Sequence, residues 1–178
     1  MSSDEPTESL ESLLASIATS LLGQPFDSFE ASIDDILHRL VRFLDVERSI
    51  FAVADPIDGI VRTTHAVAVP GVAPFPIGLP IAETTPWVLK QFSEKRVPVI
   101  ISSLSDFPPE ASVDVQTFRA FGAKSFALFP IVAGGQLLGA VSFGTSLRER
   151  QWPPSIVDRL RLIGEIFAGA LLRREHER

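Results

Sequence analysis

Residues 125–145 read SFALFPIVAGGQLLGAVSFGT, two apolar runs that flank a pair of glycines. The Val, Ile, Phe and Leu side chains favour the extended strand conformation, and Gly134 and Gly135 allow the positive φ angles of a tight hairpin turn. Strands without a polar face occur in the interior of a sheet that is covered on both sides. We therefore predict a central β-hairpin that is covered by helices or by a ligand pocket.

Two amphipathic helices are predicted at the start of the chain. Apolar residues recur at helical spacing over residues 7–22, and Gly23 followed by Pro25 is a typical helix end. A second helix begins at Asp27, whose side chain can cap the first free N–H groups. Its apolar stripe consists of Ile33, Ile36, Leu37, Leu40, Val41 and Leu44.

A first hairpin follows these helices. Residues 48–54 and 60–69 have the composition of strands, and the Asp-Pro-Ile-Asp-Gly segment between them is typical of a turn. Strict alternation along the second strand places four side chains on one face, namely Val61, Thr63, His65 and Val67. We expect His65 to face a pocket.

The segment before the central hairpin is irregular. Residues 70–80 contain four prolines and two glycines, a composition that excludes regular structure and is typical of a loop over a pocket. A short helix near Pro86, an edge strand over residues 97–102 and a helix over residues 112–121 complete the order α-α-β-β-α-β-α-β-β. A last helix begins at Pro153 and Pro154 and runs into the charged residues 173–178 without a stop signal.

Composition and charge exclude several classes of protein. The formal net charge of −6 is unfavourable for direct nucleic-acid binding, which needs clustered Lys and Arg. No apolar run reaches the roughly 18 residues of a membrane-spanning helix and the acidic start is unlike a signal peptide, so we expect a cytoplasmic protein without membrane insertion. The absence of cysteine excludes disulfides, thiolate nucleophiles and thioether-linked cofactors.

Charge is distributed unevenly along the chain. Residues 1–47 hold ten Asp or Glu and two Arg, whereas residues 148–178 hold seven Arg and five Asp or Glu. Opposite charges at the two ends attract each other. This asymmetry predicts a contact between the terminal helices.

Several segments, taken with the order of elements, resemble a GAF domain, a small-molecule-sensing module of bacterial signalling proteins. They are LDVERS at residues 44–49, RTTH at 62–65, VIIS at 99–102, FGAKS at 121–125, PIVAGGQLLG at 130–139, RERQWP at 148–153 and LIGEIFA at 162–168. The resemblance implies an α+β, profilin-like fold: a six-stranded antiparallel sheet with terminal helices on one face and short helices and loops over a pocket on the other. We accordingly divide the chain into an N-terminal amphipathic helix (residues 1–26), the GAF domain (27–172) and a charged tail (173–178) where a linker helix would start.

The absence of two residue types, cysteine and asparagine, excludes several of the ligands and activities known for GAF domains. GAF domains that bind bilins, and those that reduce free methionine sulfoxide, use cysteine, which this chain lacks. The Asn-Lys-Phe-Asp-Glu signature of cyclic-nucleotide GAF domains is also absent, because the chain has no asparagine. We therefore expect no thioether-linked bilin, and the small-molecule ligand is unknown.

The predicted ligand-contact residues are Thr63, His65, Trp87, Phe107 and Phe118. His65 has three interpretations: a hydrogen-bonded structural residue, a contact to a small molecule, or a haem ligand. Aromatic residues near a small sheet belong more often to the core than to a ligand site.

No catalytic or metal-binding residue is predicted. The carboxylates fall in turns or on exposed helix faces, and their spacing does not bring two of them into one cleft. Gly134, Gly135 and Gly139 precede no helix, so they are turn and packing residues and not a phosphate-binding loop. The three histidines are too far apart in sequence to suggest a metal site.

The first and last helices are predicted to pack together and against a second copy of the chain. The dimer residues are Leu10, Leu14 and Ile17 on the first helix and Leu162, Ile166 and Gly169 on the last. The alternative is a monomer in which these stripes only cover the sheet.

These observations favour a non-catalytic, small-molecule-sensing input or regulatory module of a bacterial signal-transduction protein. The resemblance implies a sensor histidine kinase of a two-component system or a transcriptional regulator as the host. The alternative is a dimerisation or interaction module whose cavity is filled by side chains and binds no ligand.

Overall fold

The computed structural model describes residues 9–23, 25 and 28–176, which form six α-helices and five β-strands. The helices are α1 (Leu10–Gly23), α2 (Phe29–Leu44), α3 (Ile81–Thr84), α4 (Pro86–Lys90), α5 (Ser112–Ala120) and α6 (Pro154–His176). The strands are β1 (Arg48–Ala54), β2 (Val61–Ala68), β3 (Val99–Ile101), β4 (Ser125–Ala133) and β5 (Gln136–Thr145). A π-helical turn (Gln91–Lys95) follows α4, and 3-10 turns lie at Leu104–Asp106 and Pro109–Ala111.

The predicted helix starts at Thr7 and Asp27 lie outside the described residues. Among the helices that are described, none combines the length and the apolar character needed to cross a membrane.

The strands form one antiparallel sheet in the order β2-β1-β5-β4-β3, with β5 in the middle. The hairpin of β4 and β5 turns at Gly134 and Gly135, whose φ angles are 57° and 78°. Positive φ at both central residues matches the right-handed twist of the two strands. The prediction of a central hairpin is confirmed, and β3 is an edge strand preceded by Pro98 as expected.

The sixth strand implied by the resemblance is not present in the described part of the chain. The 70–80 loop runs beside β2 and makes an isolated bridge between Arg62 and Pro80. Two backbone hydrogen bonds accompany it, from the Thr63 N–H to the Leu79 carbonyl O at 3.0 Å and from the Gly78 N–H to the Thr63 carbonyl O at 2.8 Å. Proline has no N–H to donate, so a segment with four prolines cannot form a continuous ladder. The strand count is therefore five and not six, within the predicted α+β arrangement.

A β-bulge in β2 reverses the faces of its side chains. Phe51 of β1 pairs with His65, but the next residue, Ala52, pairs with Thr63, so Thr64 has no partner in register. One extra residue shifts the in-and-out alternation by one position. The prediction that Thr63 and His65 share a face is wrong for this reason.

Helices α2 and α6 cover one face of the sheet, α1 packs against both of them, and the three helices form the larger core with that face. Its fully buried side chains include Ile17, Ile33, Leu37, Phe51, Phe129, Phe143 and Phe167. The terminal helices are joined by opposite charges, as the charge asymmetry predicts: Arg159 Nε of α6 lies 2.5 Å from Glu11 Oε1 of α1. Both side chains are about half exposed, so this ion pair contributes little to stability.

Helix α6 approaches β4 closely at Gly164. A Cβ atom at this position would lie 2.9 Å from the Pro130 carbonyl O. Gly169, on the same helix, has no atom within 4 Å of the corresponding position. Packing therefore requires a glycine at position 164 and not at position 169.

The short helices α3, α4 and α5 cover the other face of the sheet. Asp114 of α5 is completely buried, and its carboxylate accepts hydrogen bonds from the Trp87 N–H at 3.1 Å and the Val88 N–H at 2.9 Å. Burial raises the pKa of the Asp114 carboxyl group, although these two hydrogen bonds act in the opposite direction. Asp114 thus fixes the start of α4 relative to α5.

We expect Gly164→Ala to lower the free energy of unfolding by about 1–2 kcal/mol, because overpacking against the Pro130 carbonyl outweighs the better helix propensity of alanine. Gly169→Ala is the matched control and should raise the free energy of unfolding by about 0.5–1 kcal/mol. Urea denaturation of both variants measures the two effects. Equal stabilisation by the two substitutions would contradict close packing of α6 on β4.

The contribution of Asp114 to stability should decrease as pH rises. A carboxyl group whose pKa is raised on folding holds its proton more tightly in the folded state; its contribution is full below the ordinary pKa of 3.8 and is lost as pH rises through the raised value. The stability of the wild type relative to Asp114→Asn should therefore fall over this range and then level off. Urea denaturation from about pH 3 to 7 measures this difference.

Asp35→Asn, which alters an exposed aspartate on α2, is the control for the general effect of removing a carboxylate. A stability difference between wild type and Asp114→Asn that grew with rising pH would show that hydrogen bonding, and not burial, dominates at Asp114.

Candidate functional site

A cavity of about 70 Å³ lies between the sheet and the layer of short helices. Its cover comes from the 70–80 loop, α3, α4 and α5. The volume is several times the roughly 10–15 Å³ that one water molecule needs and well below the roughly 300–1,000 Å³ of pockets for drug-sized ligands. The floor is made of the strand residues Arg48, Ile50, Ala52, Thr63, Phe126, Leu128, Ala140, Val141, Ser142, Gly144 and Thr145.

Small residues in the two middle strands leave room for this cavity. Ala52 of β1 pairs with Ala140 of β5, and Gly144 of β5 lies opposite Arg48. A Cβ atom at position 144 would lie 3.2 Å from Phe126 Cβ, so the glycine also allows β4 to pack closely here. Residues at alternate positions share one face of a strand, and the small side chains therefore fall together beneath the cover.

Arg48, at the start of β1, is the charged residue of the cavity. Only 5 % of its surface is exposed. Its Nη1 donates a hydrogen bond to the Phe121 carbonyl O at 2.7 Å, and its guanidinium carbon lies 4.2 Å from the centre of the Phe75 ring. The other two nitrogens, Nε and Nη2, are buried and have no hydrogen-bond partner among the described residues.

The positive charge of Arg48 has no acidic partner in the part of the chain that the structure describes. Burial lowers the pKa of the Arg48 guanidinium, and the neighbouring Glu47 carboxylate partly opposes that shift. Glu47 itself is engaged elsewhere, since its Oε1 accepts hydrogen bonds from the Ser146 and Leu147 N–H groups at 3.0 and 2.9 Å. Arginine stays protonated in folded proteins, so the cavity carries a fixed positive charge.

Hydroxyl groups provide the remaining polar surface of the cavity. The hydroxyls of Thr84, Thr85 and Thr117 donate to backbone carbonyl groups within the cover, at 3.0, 3.2 and 2.6 Å. Thr63 on β2 and Ser142 on β5 lie in the floor, and their hydroxyls form no hydrogen bond with another described residue. Two hydroxyl groups of the floor are therefore available to a ligand.

The chemistry of the lining suits binding. Arg48 is its one titratable side chain, and the lining contains no histidine or carboxylate that could serve a hydroxyl as a base. Within the described ranges, no three His, Asp or Glu side chains come together in a way that could hold a metal ion. One cation, a few hydroxyls and a mostly apolar wall are the usual parts of a small-molecule pocket.

Two of the five predicted ligand-contact residues, Thr63 and Phe118, line the cavity. Trp87 and Phe107 do not. Their rings meet edge to face with centroids 5.6 Å apart, and they belong to the apolar core beside the cavity. For these two residues the structure agrees with the core interpretation of aromatic side chains near the sheet.

His65 lies on the opposite face of the sheet, beneath α2. Its Nε2 lies 2.9 Å from Glu30 Oε2, and its ring packs edge to face on Phe51 with centroids 5.8 Å apart. The bulge at Thr64 places it there, outside the lining of the cavity, and its contacts agree with the interpretation as a hydrogen-bonded structural residue. Glu30 also binds Arg174 of α6 at 2.7 Å, and one carboxylate thus links β2 to the end of α6.

The terminal helices form an exposed groove on the outside of the helix layer. It is lined by Leu14, Ala15 and Ala18 of α1 and by Arg159, Leu162 and Ile166 of α6, with Glu11 and Glu165 at its edges. All three predicted dimer residues of α1, Leu10, Leu14 and Ile17, are buried in the core, on the stripe that faces α2 and α6, although Leu14 also borders the groove. Gly169 is exposed on α6.

Arg48 is the site residue that the sequence interpretation missed. Side chains alternate between the two faces of a strand, so Arg48 lies on the same face as Ile50 and Ala52. The sequence pattern was therefore sufficient to predict its orientation. The residues that close over it, Phe75 and Phe121, come from a loop and from a helix end distant in sequence. No local pattern indicates that contact.

Comparison with known proteins gives the family and several similar folds. The GAF domain family model matches residues 28–171. The phycocyanobilin-bound GAF domain of a cyanobacterial phytochrome is 20 % identical with a TM-score of 0.79, covering 96 % of this chain and 97 % of that chain. The GAF domain of a phosphoenolpyruvate-protein phosphotransferase from Coxiella burnetii is 14 % identical with a TM-score of 0.70, covering 94 % and 95 %. Residues 122 to 287 of a methyl-accepting chemotaxis protein are 21 % identical with a TM-score of 0.70, covering 93 % and 98 %.

No curated protein matches the sequence. At identities below 25 % the similar structures establish the fold alone, whereas the family model covers most of the chain. The chain belongs to the GAF domain family, whose members are sensory and regulatory modules of signalling proteins.

Proposed function

We propose that the chain is the input or regulatory module of a bacterial signal-transduction protein, such as a sensor histidine kinase of a two-component system or a transcriptional regulator. In this role it acts in the cytoplasm, binds a small molecule in the cavity over the sheet and does not itself catalyse a reaction. The observation that carries the proposal concerns the two faces of β4 and β5. One face forms part of the cavity floor, and α6 packs on the other.

Neighbouring residues of β4 contact opposite layers. Leu128 lines the cavity, whereas Phe129 is fully buried in the core of the helix layer and the Pro130 carbonyl O contacts α6 at Gly164. Closely packed interfaces change between discrete arrangements and do not deform continuously. A ligand that displaces β4 from the cavity side would therefore alter the packing of α6.

Two similar structures support a signalling host, since one belongs to a phytochrome and the other to a methyl-accepting chemotaxis protein. The phytochrome domain holds phycocyanobilin. This chain has no cysteine for a thioether link, and its cavity of about 70 Å³ is small. The ligand that we propose is compact and not covalently attached.

The exposed groove between α1 and α6 favours a second function, association of two copies of the chain. Leu162 is 46 % exposed in this groove, beside Leu14 and Ile166. Leu14 is already buried within the chain, so packing of two such grooves around a two-fold axis would bury mainly Leu162 and the exposed part of Ile166. We propose a homodimer formed in this way, which is compatible with sensing and would also serve a module that binds no ligand.

Ala140→Leu should imitate a bound ligand, because the larger side chain enters the cavity from the middle of the sheet. We expect altered amide hydrogen exchange over α6 in this variant, relative to wild type. Small molecules that raise the melting temperature of the wild type should lose that effect. Ala66→Leu is the matched control, since Ala66 lies on the same face, opposite Ile50, but outside the cavity lining.

Two results would contradict sensing. One is an equal rate of amide hydrogen exchange over α6 in Ala140→Leu and in the control Ala66→Leu. The other is a panel of small organic acids, amines, amides and nucleobases in which no compound changes the melting temperature of the wild type. Either result would favour the interaction module without a ligand.

Leu162→Glu should weaken self-association by roughly tenfold or more, because a charged carboxylate would replace an apolar side chain and lose its hydration at the interface. Leu147→Glu is the matched control, since Leu147 is a leucine 70 % exposed on the loop after β5. Size-exclusion chromatography with light scattering measures the mass of wild type and both variants over a range of concentrations. A monomer mass for the wild type at every concentration would exclude the dimer.

A further inference from the structure

The buried edge of Arg48 is unsatisfied by the protein. Nη1 donates to the Phe121 carbonyl O at 2.7 Å, but Nε and Nη2 have no partner among the described residues. A buried donor without an acceptor is strongly unfavourable, and more so when it carries charge. Folded proteins retain such groups where they serve a ligand or a reaction.

The two unsatisfied groups form one geometric unit. Nε–H and Nη2–H lie side by side on the same edge of the planar guanidinium, and they point in nearly parallel directions. A carboxylate has two oxygens at the matching spacing and accepts both hydrogen bonds at once. The free edge of Arg48 therefore matches a planar anion with two oxygens better than it matches a single neutral acceptor.

The surroundings of Arg48 agree with an anion that has a short apolar tail. Arg48 is the charged residue of the lining, and no described carboxylate pairs with it. The hydroxyls of Thr63 and Ser142 lie in the same floor and can donate to further lone pairs. The rest of the lining is mostly apolar and includes the stacked rings of Phe118 and Phe126, whose centroids lie 4.1 Å apart.

We propose that the cavity binds a compact carboxylate, whose short apolar tail contacts Phe118 and Phe126 and whose head group accepts hydrogen bonds from Nε and Nη2 of Arg48. Both nitrogens are covered in this structure, so the guanidinium must turn its covered edge toward the cavity when the ligand binds. This inference rests on the proposed sensing function, because it names the class of ligand for the same cavity. The volume of about 70 Å³ restricts the tail to a few carbon atoms.

The test uses formate, acetate, propionate and butyrate as probes, with nitrate as an oxoanion without a tail. Acetamide and propionamide are the neutral controls, and chloride at matched ionic strength is the reference. Thermal shift and isothermal titration calorimetry are measured on the whole chain and on Arg48→Met, Arg48→Lys and Arg119→Met. Arg119 is the matched control, since it is an exposed arginine on α5 outside the cavity lining.

We expect acetate or a longer carboxylate to raise the melting temperature of the wild type and of Arg119→Met. Arg48→Met should weaken its affinity by roughly 10- to 100-fold, as expected when hydrogen bonds to a charged group are lost. Arg48→Lys should also bind more weakly than wild type, because a single ammonium group cannot form the paired hydrogen bonds. The Nε–H signal of Arg48 in nitrogen-15 spectra of the wild type should move on addition of the carboxylate, a readout that does not depend on the folding of any variant.

Four results would overturn the carboxylate proposal. If no carboxylate binds the wild type and the Nε–H signal is unmoved, Arg48 is a structural residue whose donors are satisfied by water. Equal carboxylate binding by wild type and Arg48→Met would place the site elsewhere. Binding of nitrate without any carboxylate would exclude the apolar tail. Binding of the amides, unaffected by Arg48→Met and abolished by Ala140→Leu, would leave the sensing function intact and exclude only the anion.

Discussion

Both faces of the β4–β5 hairpin are buried, and the other elements of the chain are arranged to cover them. Phe129 and Phe143 lie fully buried toward the helices, and Phe126 and Leu128 lie buried toward the cavity layer. Removing one such side chain from water is worth roughly 1.5–3 kcal/mol, so neither face can remain exposed in a stable fold. Helices α2 and α6, with α1 packed against them, cover one face. Short helices and a proline-rich loop cover the other, and such irregular cover is where a pocket can form.

Hydrophobic periodicity was sufficient for the elements that face the core with a regular repeat, which are the terminal helices, α2 and the two hairpins. Periodicity failed at Thr64, because a β-bulge adds one residue to the strand and leaves no mark in the composition. Strict alternation therefore predicted the wrong face of the sheet for His65. The strand count came from the family resemblance and failed because this chain has four prolines where a sixth ladder would run. The floor of the cavity follows from alternation in β1 and β5, whereas its cover depends on long-range contacts, such as that of Phe121 with Arg48, that no local pattern encodes.

Arg48 and Asp114 are both buried charged residues, but they differ in how fully the protein satisfies their hydrogen-bonding groups. This difference supports a structural role for Asp114 and the proposed binding role for Arg48. The two carboxylate oxygens of Asp114 each accept a backbone N–H, from Trp87 and Val88, so that its hydrogen bonds stabilise the start of α4. Arg48 makes one hydrogen bond and leaves two donors without a partner in the described chain. A buried charge in this condition lowers the stability of the folded state by an amount of order 1–3 kcal/mol or more. Sites where the general rules of folding are broken in this way are most often sites of function.

Two kinds of contact connect the sheet to α6, and they differ in the free energy that they contribute. One is the ion-pair chain from His65 through Glu30 to Arg174, in which Glu30 is 55 % exposed. Ion pairs at such a site contribute about 0–1 kcal/mol and are weakened further by salt. The other is the contact of Gly164 with the Pro130 carbonyl, where a mismatch of a single methyl group costs about 1–3 kcal/mol. In the proposed sensing function the packing contact is therefore the stronger coupling, and it acts on the distance of α6 from the sheet, while the ion pairs hold the far end of the helix in place.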